Sequence, residues 1–143
     1  MIKNLLVLII SFIIVIFNSH SLNASNSYFD DGKIFFEKKN YKKSKIFFEK
    51  DIVFNPKSEK SYLYLAKIFK EEKNDNLQEN NLDTVLLINP KNEEALYLLA
   101  LLSIKKSNFS KAKELIETIN LVCDKFCSST NELQKKLNSS LKK

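Results

Sequence analysis

The chain repeats itself every 34 residues, and no other feature restricts its fold so tightly. Phe54-Asn55-Pro56-Lys57 returns as Ile88-Asn89-Pro90-Lys91. The same shift carries Asn40 onto Asn74 and then Asn108, Tyr28 onto Tyr62, and Phe35 onto Phe69. A fixed period in this range marks an array of stacked units. Each unit is too small to bury its own apolar face and does so against its neighbours.

Local signals divide each unit into two helices. Asn40, Asn74 and Asn108 sit between them, and Asn tolerates the left-handed conformation that ends a helix. Asn55 and Asn89 precede Pro, which pushes them out of helical geometry and stops the second helix there. Ser58 and Asn92 are then expected to cap the helix that follows. Apolar residues recur at helical spacing, as with Ile46, Phe47, Val53 and Phe54, with Lys and Glu between them. After Cys127, Ser129 followed by Glu132 reads as a capping box that opens a last helix striped by Leu133, Leu137 and Leu141. No segment alternates like a strand.

The pattern resembles the tetratricopeptide repeat, in which a large residue, a small one and an aromatic are followed by a closing Pro. The first copy reads Tyr28, Asp31, Gly32 and Phe35, then Ser44 and Phe48, closing at Pro56. The second reads Tyr62, Leu65, Ala66 and Phe69, then Gln78 and Leu82, closing at Pro90. The third reads Leu96, Leu99, Ala100 and Ser103, then Ala112 and Ile116, with Asp124 in place of Pro. Gly32, Ala66 and Ala100 form one column, where small side chains let two helices approach. The expected architecture is all-α: a helical repeat array of three tetratricopeptide-like repeats (25–58, 59–92 and 93–127) with a C-terminal capping helix over 128–143. A polar-backed terminal helix is what such an array needs to close its last face.

Composition argues against most enzyme chemistry. One Gly is too few for glycine-rich phosphate loops or dinucleotide turns. The only His, His20, falls in a segment read below as removed, leaving no imidazole base or metal ligand. Two Cys without a His partner fall short of a structural zinc site. Their C-x3-C spacing is one residue longer than the usual redox motif. The expectation is a non-enzyme without cofactor or metal, and no small-molecule substrate is evident.

Leu5 to Phe17 is an apolar run interrupted only by Ser11, preceded by Lys3 and followed by small or polar residues through Ala24. This is the pattern of a secretory signal peptide over residues 1–24, cut after Ala24 or after Ser21. The alternative is an uncleaved membrane anchor through residues 5–17, although the run is short for a spanning helix. Membrane contact is expected only in that case. Either way the working chain is placed outside the cytoplasm, periplasmic or secreted. Export implies an oxidising compartment, where Cys123 and Cys127 either pair or remain as two buried thiols. Pairing needs a local break, because i, i+4 positions in an undistorted helix lie too far apart.

The resemblance implies an interaction scaffold whose inner helices line a concave groove, without naming the ligand. Stepping one residue on from the packing positions gives three columns: Phe29/Leu63/Tyr97, Lys33/Lys67/Leu101 and Phe36/Lys70/Ile104. They describe an apolar floor with lysines toward the first two repeats, suited to a peptide or protein partner with hydrophobic anchors and acidic groups. One subclass of the family grips a carboxylate-terminated chaperone tail with Lys, Asn and Arg. Here the corresponding places hold Phe29, Lys33, Tyr64, Glu94 and Leu98, which do not match. Nucleic acid is not an expected partner: all 23 basic residues are Lys, scattered among acids, and Arg is absent. The function expected is a non-catalytic scaffold of the cell envelope. The alternative is a dedicated subunit of an envelope assembly machine, in outer-membrane biogenesis, division or cytochrome maturation, with an obligate partner.

Overall fold

A computed structural model describes residues 24–142. The N-terminal signal or anchor reading, with its apolar run, lies outside these residues. Seven helices follow one another among the described residues: α1 (Ala24–Glu37), α2 (Tyr41–Phe54), α3 (Glu59–Glu71), α4 (Asp75–Ile88), α5 (Glu93–Lys105), α6 (Phe109–Val122) and α7 (Cys127–Ser140). Helices α1/α2, α3/α4 and α5/α6 are antiparallel pairs, one per repeat. Each pair packs on the next, and α7 covers both α5 and α6. None of these helices is long and apolar enough to cross a membrane.

The turn inside each repeat differs from expectation by one residue. The left-handed position is held by Lys39, Lys73 and Ser107, with φ of 55°, 56° and 58°. The Asn that follows is not left-handed. Asn40, Asn74 and Asn108 donate their backbone N–H to the carbonyls of Phe35, Phe69 and Ser103, at 2.8–2.9 Å. Their side chains in turn accept from the backbone N–H of Lys43, Leu77 and Lys111 at 3.2 Å. One Asn therefore closes the Schellman turn of the first helix and caps the second. That double use is why Asn recurs at the 34-residue shift.

Between repeats, Asn55 and Asn89 are extended (φ −133° and −137°), as a following Pro requires. Asn92 caps α5 through Ala95 N–H at 2.8 Å. Ser58 does not cap α3: its hydroxyl goes to the buried carboxylate of Asp51, which Ser61 also reaches. Glu59, at the start of α3, accepts from the side-chain amides of Asn89 (3.1 Å) and Asn92 in the next inter-repeat turn. Glu93, its counterpart one period on, accepts from the backbone N–H groups of Lys125 (2.9 Å) and Phe126 (2.8 Å).

The third repeat ends without Pro. Cys123 is extended (φ −66°, ψ 139°) and α6 stops there, so the break that a disulfide needs is present. Cys123 and Cys127 are bonded, with Cα atoms 5.3 Å apart. The capping box at Ser129 does not form. Helix α7 opens three residues earlier, at Cys127, with Phe126 before it and no side-chain cap. Leu133 and Leu137 are buried beneath α7, while Leu141 is exposed at its end. Ile46, Val53 and Phe54 likewise face solvent and do not belong to the core. Val53, Leu87 and Leu121, spaced by the period, are 75%, 84% and 86% exposed.

Candidate partner-binding groove

Two cavities open between the first helices of successive repeats. The first, about 300 Å³, is lined by Phe29, Lys33, Lys60, Leu63, Tyr64, Lys67 and Glu94. Its floor is aromatic because α1 and α3 bring rings together at their crossing. Tyr64 lies 5.6 Å from Phe29, 5.0 Å from Phe36 and 5.1 Å from Phe48, ring centre to ring centre. Edge-on and tilted arrangements of this kind suit the ring quadrupoles.

Lys67 is held in two ways. Its Nζ stands 4.7 Å above the Tyr64 ring and 2.7 Å from the Glu94 carboxylate. The charge is thus neutralised inside the cavity and oriented across the joint between α3 and α5. Lys60 sits over the Phe29 ring at 5.8 Å. Among the described residues Lys33 pairs only with Glu37, at 3.9 Å along its own exposed helix face. An incoming acidic group therefore finds Lys33 and Lys60 more available than Lys67.

The second cavity, about 250 Å³, lies where α3 ends, α4 begins and α5 passes, lined by Lys70, Asp75, Gln78, Leu98, Leu101, Leu102 and Lys105. Lys105 Nζ and Asp75 Oδ1 form a 2.6 Å ion pair among the residues that line it. Gln78 is buried and reaches it from the start of α4.

Of the nine residues read from the sequence, Phe29, Lys33, Leu63 and Lys67 line the first cavity and Lys70 and Leu101 the second. Phe36, Tyr97 and Ile104 line neither. Phe36 packs against Tyr41 and Tyr64, Tyr97 lies 5.6 Å from Phe126 ahead of the last helix, and Ile104 packs on the Leu-rich core. Leu63 is itself largely core, at 8% exposure. Sequence columns passed over Lys60, Tyr64 and Glu94 in the first cavity, and Asp75, Gln78, Leu98, Leu102 and Lys105 in the second. Three of these, Tyr64, Glu94 and Leu98, are positions that the resemblance to the tail-binding tetratricopeptide subclass singles out in the sequence. Among the described residues no three His, Cys, Asp or Glu side chains are grouped to hold a metal ion.

No protein-family profile matches the chain, and no curated protein matches it by sequence. Solved structures do match, and closely in shape. The first tetratricopeptide domain of Spaghetti (RPAP3), bound to the HSP90 peptide SRMEEVD, superposes with a TM-score of 0.74. It is 16% identical and is matched over 83% of this chain and 94% of that one. The TPR2B domain of yeast Sti1, in its pHsp70 complex, gives 0.72 at 14% identity, over 80% and 96%. The type III secretion translocator chaperone SycD of Yersinia enterocolitica gives 0.73 at 13% identity, over 89% and 90%. With three helical hairpins, a seventh helix and these neighbours, the chain has the fold of a tetratricopeptide-repeat protein of about three repeats.

Proposed function

We propose that the protein is a non-catalytic interaction module of the cell envelope that holds a peptide segment of its partner in the groove. The observation that carries this reading is the first cavity, where an aromatic floor and two available lysines meet on one surface. Such a site suits a segment with an apolar anchor and an acidic group nearby. One structural neighbour is described with an HSP90 peptide bound and another in a pHsp70 complex, which supports a peptide or protein partner. A chaperone-type terminal carboxylate is not the ligand favoured here. Glu94 already occupies Lys67 and would repel it.

Export and an oxidising compartment remain part of the proposal. The bonded Cys123–Cys127 pair supports them, as does the apolar N-terminal run with its Lys3. The second reading, a dedicated subunit with an obligate partner, is favoured by one observation. Val53, Leu87 and Leu121 make an exposed apolar ladder at the repeat period, away from the groove.

A photoreactive residue at Lys33, with one at Lys113 on α6 as the outer-face control, separates the two readings. Capture from position 33 that weakens several-fold between about 0.05 and 0.5 M salt, and is lost in Lys60→Glu, is the expected outcome for a lysine-steered groove. Capture only from Lys113, insensitive to salt, would remove the groove reading in favour of the apolar ladder.

A further inference from the structure

Gln78 stands where the repeat pattern has a small residue: Ser44 one period before it and Ala112 one period after. Ser44 is satisfied, donating its hydroxyl to the carbonyl of Gly32 at 2.8 Å. Ala112 has nothing to satisfy. Gln78 is only 4% exposed, yet its side-chain amide makes no hydrogen bond to any described residue. Every fully enclosed polar side-chain atom of the described residues has a partner. The unpaired amide of Gln78 therefore keeps some exposure, and Gln78 lines the second cavity.

An amide so nearly desolvated and unpaired is costly to hold, and a carboxamide offers one acceptor and two donors side by side. The groups around it narrow what can complete it. Asp75 and Lys105 neutralise each other at 2.6 Å, and Lys70, at the edge of the same cavity, has no ion-pair partner among the described residues. Leu98, Leu101 and Leu102 supply an apolar wall. We propose that this cavity is a subsite for one residue of an extended peptide. The Gln78 amide pairs with that residue's main-chain N–H and C=O, and its aliphatic side chain lies against the three leucines. The inference rests on the peptide-groove reading above and gives it a second anchoring point. It also gives the Gln at this position a function that packing alone does not supply.

The test uses N-acetyl-leucine N-methylamide as the probe, titrated into isotope-labelled full-length protein and followed by NMR. Saturable shifts are expected at the Gln78 side-chain NH2 and at the methyls of Leu98, Leu101 and Leu102. The ester analogue O-acetyl-2-hydroxy-4-methylpentanoic acid N-methylamide, in which oxygen replaces the leucine N–H, is expected to bind about 10-fold more weakly. Gln78→Leu should abolish the binding. Gln78→Ala, which restores the small residue of the other repeats, should do the same with the helical fold intact. Methyl shifts with an unmoved Gln78 amide, equal affinity for amide and ester, or binding that survives Gln78→Ala would each overturn the proposal, as would no saturation by about 100 mM. Capture from Lys33 in a protein that ignores the capped leucine would remove this subsite alone. Binding of the capped leucine without capture at Lys33 would remove the first cavity and leave the subsite standing.

Discussion

The two ends of the array solve the same packing problem with different side chains. At the N-terminal end, Phe48, Leu65, Ile68 and Phe69 are surrounded by Phe29, Phe36, Tyr41 and Tyr64. From α3 onward the core is Leu, Ala, Ile and Val, continuous to Leu133 and Leu137 beneath the last helix. The columns show how the exchange was made. Gly32, Ala66 and Ala100 correspond across the repeats, as do Phe48, Leu82 and Ile116, so the largest filler goes with the smallest neighbour. A Cβ on Gly32 would lie 2.7 Å from the Phe48 ring, and Phe48 is fully buried with no room to yield. The Gly is needed for space and not for backbone conformation, since it lies inside α1 at a negative φ. An aromatic end concentrates its stability in few large groups, whereas the aliphatic end spreads it over many.

The strongest way to break this comparison is Phe48→Ala. Removing a fully enclosed ring is expected to cost roughly 3–5 kcal/mol. Native-state hydrogen exchange should show faster opening of α1 and α2 while α5 to α7 keep their protection. Leu99→Ala, in the larger core, should cost roughly 2–5 kcal/mol and lower protection across several helices. Equal loss of protection along the whole chain in both variants would mean that the two ends form one cooperative unit.

A smaller effect, roughly 1–3 kcal/mol, is expected for Gly32→Ala, measured by urea unfolding. The double variant Gly32→Ala/Phe48→Leu recreates the Ala–Leu pairing of the second repeat. It should be more stable than the sum of the two single changes predicts, because each relieves the other. Simple additivity would sink the volume-exchange argument.

The smallest effect is electrostatic and belongs to the aliphatic end. The Glu93 carboxyl is held below its ordinary range, chiefly by the backbone N–H of Phe126. Hydrogen bonds from Lys106 and Lys111 likewise hold the Glu79 carboxyl low. A depressed carboxylate contributes stability that is present above its unfolded pKa, about 4.3 for Glu. That stability is lost as pH falls through the folded value. The urea midpoint should thus decline below about pH 5. Glu93→Gln and Glu79→Gln should each flatten the decline, and a slope unchanged in both would assign it elsewhere.

Much of the architecture was legible because the determinants are local and periodic. Asn before Pro, small against large, and Asn between helices each act within a few residues and return every 34. The errors were also local. Asn40 and its counterparts read as the left-handed residue because Asn is the commoner choice there, while Lys39, Lys73 and Ser107 carry that conformation instead. Ser58 read as a cap because nothing nearby revealed that the Asp51 carboxylate would draw its hydroxyl away. The groove was harder to read for a different reason. A column says which way a side chain points but not what reaches it from the next helix. Tyr97 is taken up by Phe126, and Lys67 by Glu94, across joints that only the stacked structure defines. Gln78 stood out in the sequence as a departure from pattern, and only its burial gives that departure a meaning.

The carboxylates of Glu59 and Glu93 each reach from the start of one repeat into the turn that begins the next. The second and third units therefore each open with a hook whose catch lies 30–33 residues on, in the turn that closes the same unit. Copying either of these units whole and in frame would reproduce a complete joint, with hook and catch at their present spacing. Gaining or losing a single residue within a unit would leave a hook facing the wrong groups. The molecule can in this sense lengthen only by whole steps, and the size of the step is written into which residues these two carboxylates meet.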